Sequence, residues 1–199
     1  MDKRFEDMLL DYALENDPAA RLIVEARLWK EFGAVKAVFV LDLSGFSLLT
    51  QKYGIVHYLS MVRRMQLMAR PIIEKAGGEV VKFEADNCFA MFDSALAAVQ
   101  AAIAINHAFN EINIYTADQF DIRVAIGIDY GDVLLVGGPD YFGDAVNTAS
   151  KLGEDRARPG EIIITERALA QLPLSAGYHT ESVRLEISNI AIPVASIRY

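Results

Sequence analysis

One cysteine, Cys88, among 199 residues leaves no material for a disulfide framework or a cysteine-based zinc site. It falls in an apolar strand pattern and reads as inert core. Positive charge is scarce as well: 19 Lys and Arg stand against 27 Asp and Glu, a net charge of −8, with a pI near 4.9. That balance argues against a nucleic-acid or anionic-membrane surface. An acidic chain can still take a nucleotide, but then cations must neutralise the phosphates. The opening MDKRFEDMLL lacks the basic-then-apolar layout of a signal peptide, and no uncharged run is long enough to span a bilayer. A soluble, cytoplasmic setting is the expectation. Internal repeats and low-complexity linkers are missing too. What is plentiful is apolar: a 53% hydrophobic composition can bury one full core plus an appendage.

Residues 1–33 predict two helices. Phe5, Met8, Leu9 and Tyr12 share one face at helical spacing, and Leu22, Ala26 and Trp29 make the next apolar stripe. Between them Asp17 is placed to cap and Pro18 to begin the second helix. Ala34 to Leu41 reads as a buried strand that ends on a carboxylate, Asp42. Residues 46–75 follow as helix, with a dip at Tyr53-Gly54 and a bend or restart at Pro71. EVVKFEADNCFAMF, residues 79–92, predicts a hairpin turning at Glu84 to Asn87. A helix over 94–112 comes next, then a strand over 121–128, a turn at Gly131 and a partner strand over 133–136. A short helix over 142–152, a strand over 161–165, a helix over 166–172 and a hairpin of 182–188 with 192–198 complete the chain. That order predicts an α+β fold: a ferredoxin-like βαββαβ core with extra C-terminal strands and an N-terminal helical extension. The expected division is 1–33 as the extension and 34–199 as the principal domain.

Chemistry is suggested first by two aspartates. Asp42 stands at the end of the first strand, before the small-residue turn Leu43-Ser44-Gly45-Phe46 and a helix start. Asp86 stands at the hairpin tip. In a βαββαβ sheet the first and third strands are neighbours, so the two carboxylates can approach and hold divalent cations beside a phosphate-receptive turn. Taken singly, Asp42 and Ser44 would be ordinary helix caps and Asp86-Asn87 ordinary turn formers.

Together with LDLSGF, the motifs GGEVVKFEAD, VAIGIDYGDV, DYFGDAVNTASKL and ARPGEIIIT stand in the order and spacing of class III nucleotidyl cyclase catalytic domains. The chain resembles that family over roughly residues 35–199. The resemblance implies conversion of ATP to 3′,5′-cyclic AMP and pyrophosphate with two divalent cations, Mg²⁺ or Mn²⁺. It implies Asp42 and Asp86 as metal ligands, and Leu43, Ser44, Gly45 and Phe46 as the triphosphate-binding turn. Lys82 and Asp140 match the purine-selecting positions, Asn147 the ribose-orienting asparagine, and Lys151 the place of a transition-state arginine. A lysine beside an aspartate suits the acceptor and donor edge of adenine better than that of guanine. Every class of residue is present in one chain, so a homodimer with composite sites is the implied assembly, with no nucleic-acid partner.

Three positions depart from the family pattern. Lys151 keeps the charge of the usual arginine and loses its two-pronged fork. Ala85 takes the place of a glycine, where a positive φ would strain it. Ser188 stands where many relatives carry a phosphate-binding lysine. These departures keep open a second reading, a weak or silent cyclase homologue that binds nucleotide in a regulatory role.

Overall fold

The computed structural model describes residues 2–137, 141–187 and 190–199. Its first two elements are α1 (Lys3–Leu14) and α2 (Pro18–Phe32). The Asp17 carboxylate accepts the Ala19 N–H and caps α2, with Pro18 as its first residue, where the missing donor costs nothing. The expected stripe of α2 is corrected. Leu22 is 65% and Trp29 38% exposed, while Val24, Leu28 and Phe32 turn inward at a spacing of four and pack with Phe5 and Val136. A stripe at four-residue spacing exists on either face, and only the docking partner selects one of them.

β1 (Gly33–Leu43) leads through a turn into α3 (Phe46–Tyr53) and α4 (Ile55–Lys75). Pro71 lies inside α4 at an exposed position and does not restart it; the carbonyl one turn earlier loses its donor where water can replace it. β2 (Glu79–Glu84) and β3 (Asn87–Phe92) form the expected hairpin, followed by α5 (Ala95–Asn113). β4 (Val124–Leu135) then runs straight through Gly131. The turn expected there does not exist, because β1 pairs with β4 without a break from Gly33↔Leu134 to Leu43↔Val124, and that ladder carries the glycine. β5 (Tyr141–Phe142), α6 (Asp144–Lys151), β6 (Ile162–Thr165), α7 (Glu166–Leu169), β7 (His179–Ile187) and β8 (Ile190–Arg198) complete the order. Residues Leu152–Arg156 extend α6 by one wider turn.

The sheet has eight strands in the order β2-β3-β1-β4-β6-β8-β7, with β5 paired to β4. Its first four positions are the βαββαβ arrangement with β1 and β3 adjacent. Strand alternation sorts the side chains onto two faces. Phe39, Leu41 and Leu43 join α4 and α5 in the main core. Val38 and Val40 join Phe89, Met91, Ala145 and Ala149 under α6. Asp42 continues the second series, so it belongs to the face that α6 crosses.

Candidate active site

α6 lies unusually close to the sheet, and glycine is the reason. A Cβ on Gly127 would meet the Ala149 carbonyl oxygen at 2.3 Å and the Gly153 nitrogen at 2.5 Å; one on Gly153 would meet the Val40 carbonyl oxygen at 2.8 Å. This approach carries the turn after α6, with Glu154 and Asp155, to the end of β1. On the other side β3 brings Asn87 opposite Asp42, and the Leu43 N–H donates to the Asp86 carbonyl at 3.2 Å. Asp86 thus lies next to the end of β1, near enough for its charge to act on Asp42.

The electrostatics there are one-sided. Burial, followed by the charges of Asp86, Glu154 and Asp155, pushes the Asp42 carboxyl up to about 7. Glu154 is raised as well, by burial and by Asp155, Asp86 and Glu84. Asn87 adds a buried Oδ1 with no hydrogen-bond partner among the described residues. An oxygen-rich, anionic cluster of this kind fits a hard divalent cation. Among the described residues no group of three or more His, Cys, Asp or Glu forms a ready-made cage. The two aspartates would supply the protein ligands, and phosphate oxygens and water the rest.

Beneath them is a residue that the sequence reading missed. The Tyr58 hydroxyl, from α4, lies 2.8 Å from the Leu43 carbonyl and 2.8 Å from Asp86 Oδ2. The turn after Asp42 is less open than expected. The Leu43 N–H is used by Asp86, and the Ser44 N–H donates to the Arg123 carbonyl at 2.9 Å. Gly45 follows at φ 99°, a conformation that glycine adopts freely, and Phe46 begins α3.

Lys82 lies across the hairpin from Phe89, its ammonium 5.1 Å from the centre of that ring, and it is ion-paired with Glu84. Asn147 and Lys151, one turn apart on α6, line a cavity of about 440 Å³ together with Arg167, Thr165 and Ile192. Neither Asp42 nor Asp86 lines that cavity. Asp140 and Ser188 lie outside the described residues.

The cavity wall holds a second network with no signal in the sequence reading. Asp129 is fully buried. It accepts from Thr165 Oγ1 at 2.5 Å, Arg167 Nε at 2.7 Å and the Tyr130 N–H at 2.7 Å. Arg167 Nη2 bonds the other Asp129 oxygen and reaches Asp144 Oδ2, in the first turn of α6, at 2.8 Å.

Asp42 and Asp86 thus stand at one end of the sheet, while Asn147 and Lys151 on the glycine-seated helix line a separate cavity. The profile of the adenylate and guanylate cyclase catalytic domain matches residues 29–189. The chain belongs to that family. A protein from Rhizobium meliloti (strain 1021) named "Putative adenylate cyclase 3" is 27% identical over 165 residues, covering 79% of this chain. The chain spans only 27% of that relative's length. Among solved structures, an adenylate/guanylate cyclase/hydrolase from Silicibacter pomeroyi superimposes with a TM-score of 0.72 at 29% identity, over 83% of this chain and 96% of its own. The adenylyl cyclase CyaB from P. aeruginosa shares the fold at TM-score 0.71 and 20% identity, over 84% and 96% of the two chains. The guanylyl cyclase Cya2 does so at 0.72 and 18%, over 83% and 92%. Adenylyl and guanylyl enzymes both stand among these neighbours. The match to a cyclase domain and the mixed α+β sheet agree with the fold expectation. Among the described residues no helix is long and apolar enough to cross a membrane.

Proposed function

We propose that this chain is an adenylate cyclase that closes ATP to 3′,5′-cyclic AMP at composite sites between two copies. The observation that carries the reading is the proximity of Asp42, at the end of β1, to Asp86, at the adjoining hairpin tip, each close enough for its charge to act on the other. In the reaction the ribose 3′-oxygen bonds to the α-phosphorus. The bond from that phosphorus to the bridging oxygen breaks, pyrophosphate leaves with the electron pair, and the 3′-hydroxyl proton passes to solvent. Asp42 and Asp86 would hold two cations, Mg²⁺ or Mn²⁺, which supply Lewis-acid stabilisation of the attacking oxygen and the phosphates when bound.

The remaining work belongs to the chain. The amides of Gly45 and Phe46, at a helix start, receive phosphate oxygens. Lys82 and Asp140 read the adenine edge. Asn147 orients the ribose, and Lys151 offers an ammonium to the charge gathering at the α-phosphate. The cavity that Asn147 and Lys151 line excludes both aspartates, which favours a pairing in which each copy completes the other's site. Such an enzyme is inactive as a monomer.

Incubation of the full chain with ATP or GTP and with Mg²⁺ or Mn²⁺, followed by measurement of cyclic nucleotide, tests the reading. The expected result is cyclic AMP from ATP in preference to cyclic GMP. Asp42→Ala and Asp86→Ala should each lose more than about 100-fold in rate, beyond what loss of an indirect metal partner costs. Full activity in either variant would refute the metal assignment. Nucleotide binding without product under either metal would favour the silent-homologue reading.

A further inference from the structure

We infer that Tyr58 is a positioning residue for the cation site, locking Asp86 so that one of its oxygens stays available. The inference rests on reading Asp42 and Asp86 as cation ligands. Tyr58 belongs to the apolar stripe of α4 with Met61, Met65, Ala69 and Ile73, and it is 2% exposed. Packing alone explains its ring, which meets the Phe46 ring edge-on at 5.0 Å. It does not explain the hydroxyl, since phenylalanine would fill the same space without a polar atom to satisfy.

That hydroxyl sits where the two halves of the site join. It reaches the carbonyl of Leu43, next in chain to Asp42, and Oδ2 of Asp86, each at 2.8 Å. Its single proton is shared between these two acceptors, and together with the Leu43 N–H on the Asp86 carbonyl it ties the end of β1 to the hairpin tip from below. Two consequences follow. Asp86 Oδ2 is committed to the core side, so the carboxylate cannot swing freely, and Oδ1 is the oxygen left for a cation. This tie also opposes the mutual repulsion of two adjacent carboxylates, which would otherwise spread the tip away from β1. A ligating carboxylate held by an outer hydrogen bond is a recurrent feature of metal sites, and its loss weakens metal affinity or activity by about 10–100-fold.

The test is Mn²⁺ binding to the full chain, followed by electron paramagnetic resonance, with and without a non-hydrolysable ATP analogue. Tyr58→Phe removes the hydroxyl and keeps the ring. Its Mn²⁺ affinity should fall about 10–100-fold, and in turnover the half-saturating Mn²⁺ concentration should rise by a similar factor while the rate at saturating Mn²⁺ changes far less. A purely structural tyrosine would instead lower the melting temperature and leave Mn²⁺ affinity as in the unsubstituted chain; that result overturns the inference while the cation site stands. Failure of the unsubstituted chain to bind Mn²⁺ at all overturns the cation-site reading, and the role of Tyr58 with it.

Discussion

Asp42 and Asp129 stand on the two central strands, β1 and β4, and have opposite surroundings. Asp129 is enclosed by donors: a hydroxyl, a backbone N–H and the fork of Arg167. Asp42 is partly buried beside acids, and burial first and then the charges of Asp86, Glu154 and Asp155 raise its carboxyl. The same residue type in the same sheet is thus a finished internal ion pair in one place and an unbalanced charge in the other. Folding alone would favour neutralising both. On the proposed reading, the one left unbalanced is the position for a cation from outside, held at a cost in stability.

The comparison breaks most visibly on the satisfied side. Arg167→Met leaves a fully buried carboxylate without its guanidinium, and loss of one partner of a buried pair costs about 3 kcal/mol or more. Urea denaturation should register it as a lower midpoint with an unchanged slope. Adding Asp129→Leu should restore most of the loss, since an apolar pair of similar volume removes the orphaned charge. A full-sized loss in the double variant would mean that Asp129 serves through its bonds to Thr165 and Tyr130 instead.

The unsatisfied side predicts the reverse sign. Asp42 in the folded protein holds its proton up to about 7, against an ordinary value of 3.8. Between those values the folded state binds the extra proton, so stability without cation falls as pH rises from about 4 to about 7 and then levels. Asp42→Asn removes that slope. At pH 8 without divalent cation it should be more stable than the parent by about 2 kcal/mol, after allowance for solvent screening of a partly exposed group. Thermal melts across the pH range, with and without Mg²⁺, decide it. Added Mg²⁺ should stabilise the parent and not the variant. A variant less stable than its parent at pH 8 would show that Asp42 has an internal partner after all.

How much of this was legible in the sequence follows the range of the interactions. The run Ala34 to Asp42, the hairpin over 79–92 and the order of elements are local patterns, and they led to the β1–β3 adjacency that joins the aspartates. Gly131 misled because a glycine between two apolar runs signals a turn, and only pairing along all of β1 overrides that signal. The inward face of α2 depended on Phe5 and Val136, neither of them nearby in the chain. Asp129 stands inside the motif VAIGIDYGDV, but its pairing with Arg167 arises only from the return of β6 alongside β4, which no motif announces. Tyr58 did leave a trace, a phenol in an otherwise apolar helical stripe. The occupied amides of Leu43 and Ser44 left none, because a turn's sequence does not say which of its donors the neighbouring strands will claim.

The smallest predicted effect lies at the tip of the β2–β3 hairpin, next to Asp86. Ala85 has φ 51°, and it is the one non-glycine residue at positive φ among those described. An L-residue there is crowded between its Cβ and the backbone at a cost of about 1–2 kcal/mol. Glycine removes the crowding but loses more freedom on folding, so Ala85→Gly should gain about 1 kcal/mol at most, or roughly 2–4 °C in melting temperature for a domain of this size. The gain should appear equally with and without Mg²⁺, since the strain is in the backbone and not in the charges. If it appears only without Mg²⁺, the alanine is instead relieved when the cation draws Asp86 toward Asp42, and the tip is a moving part of the site.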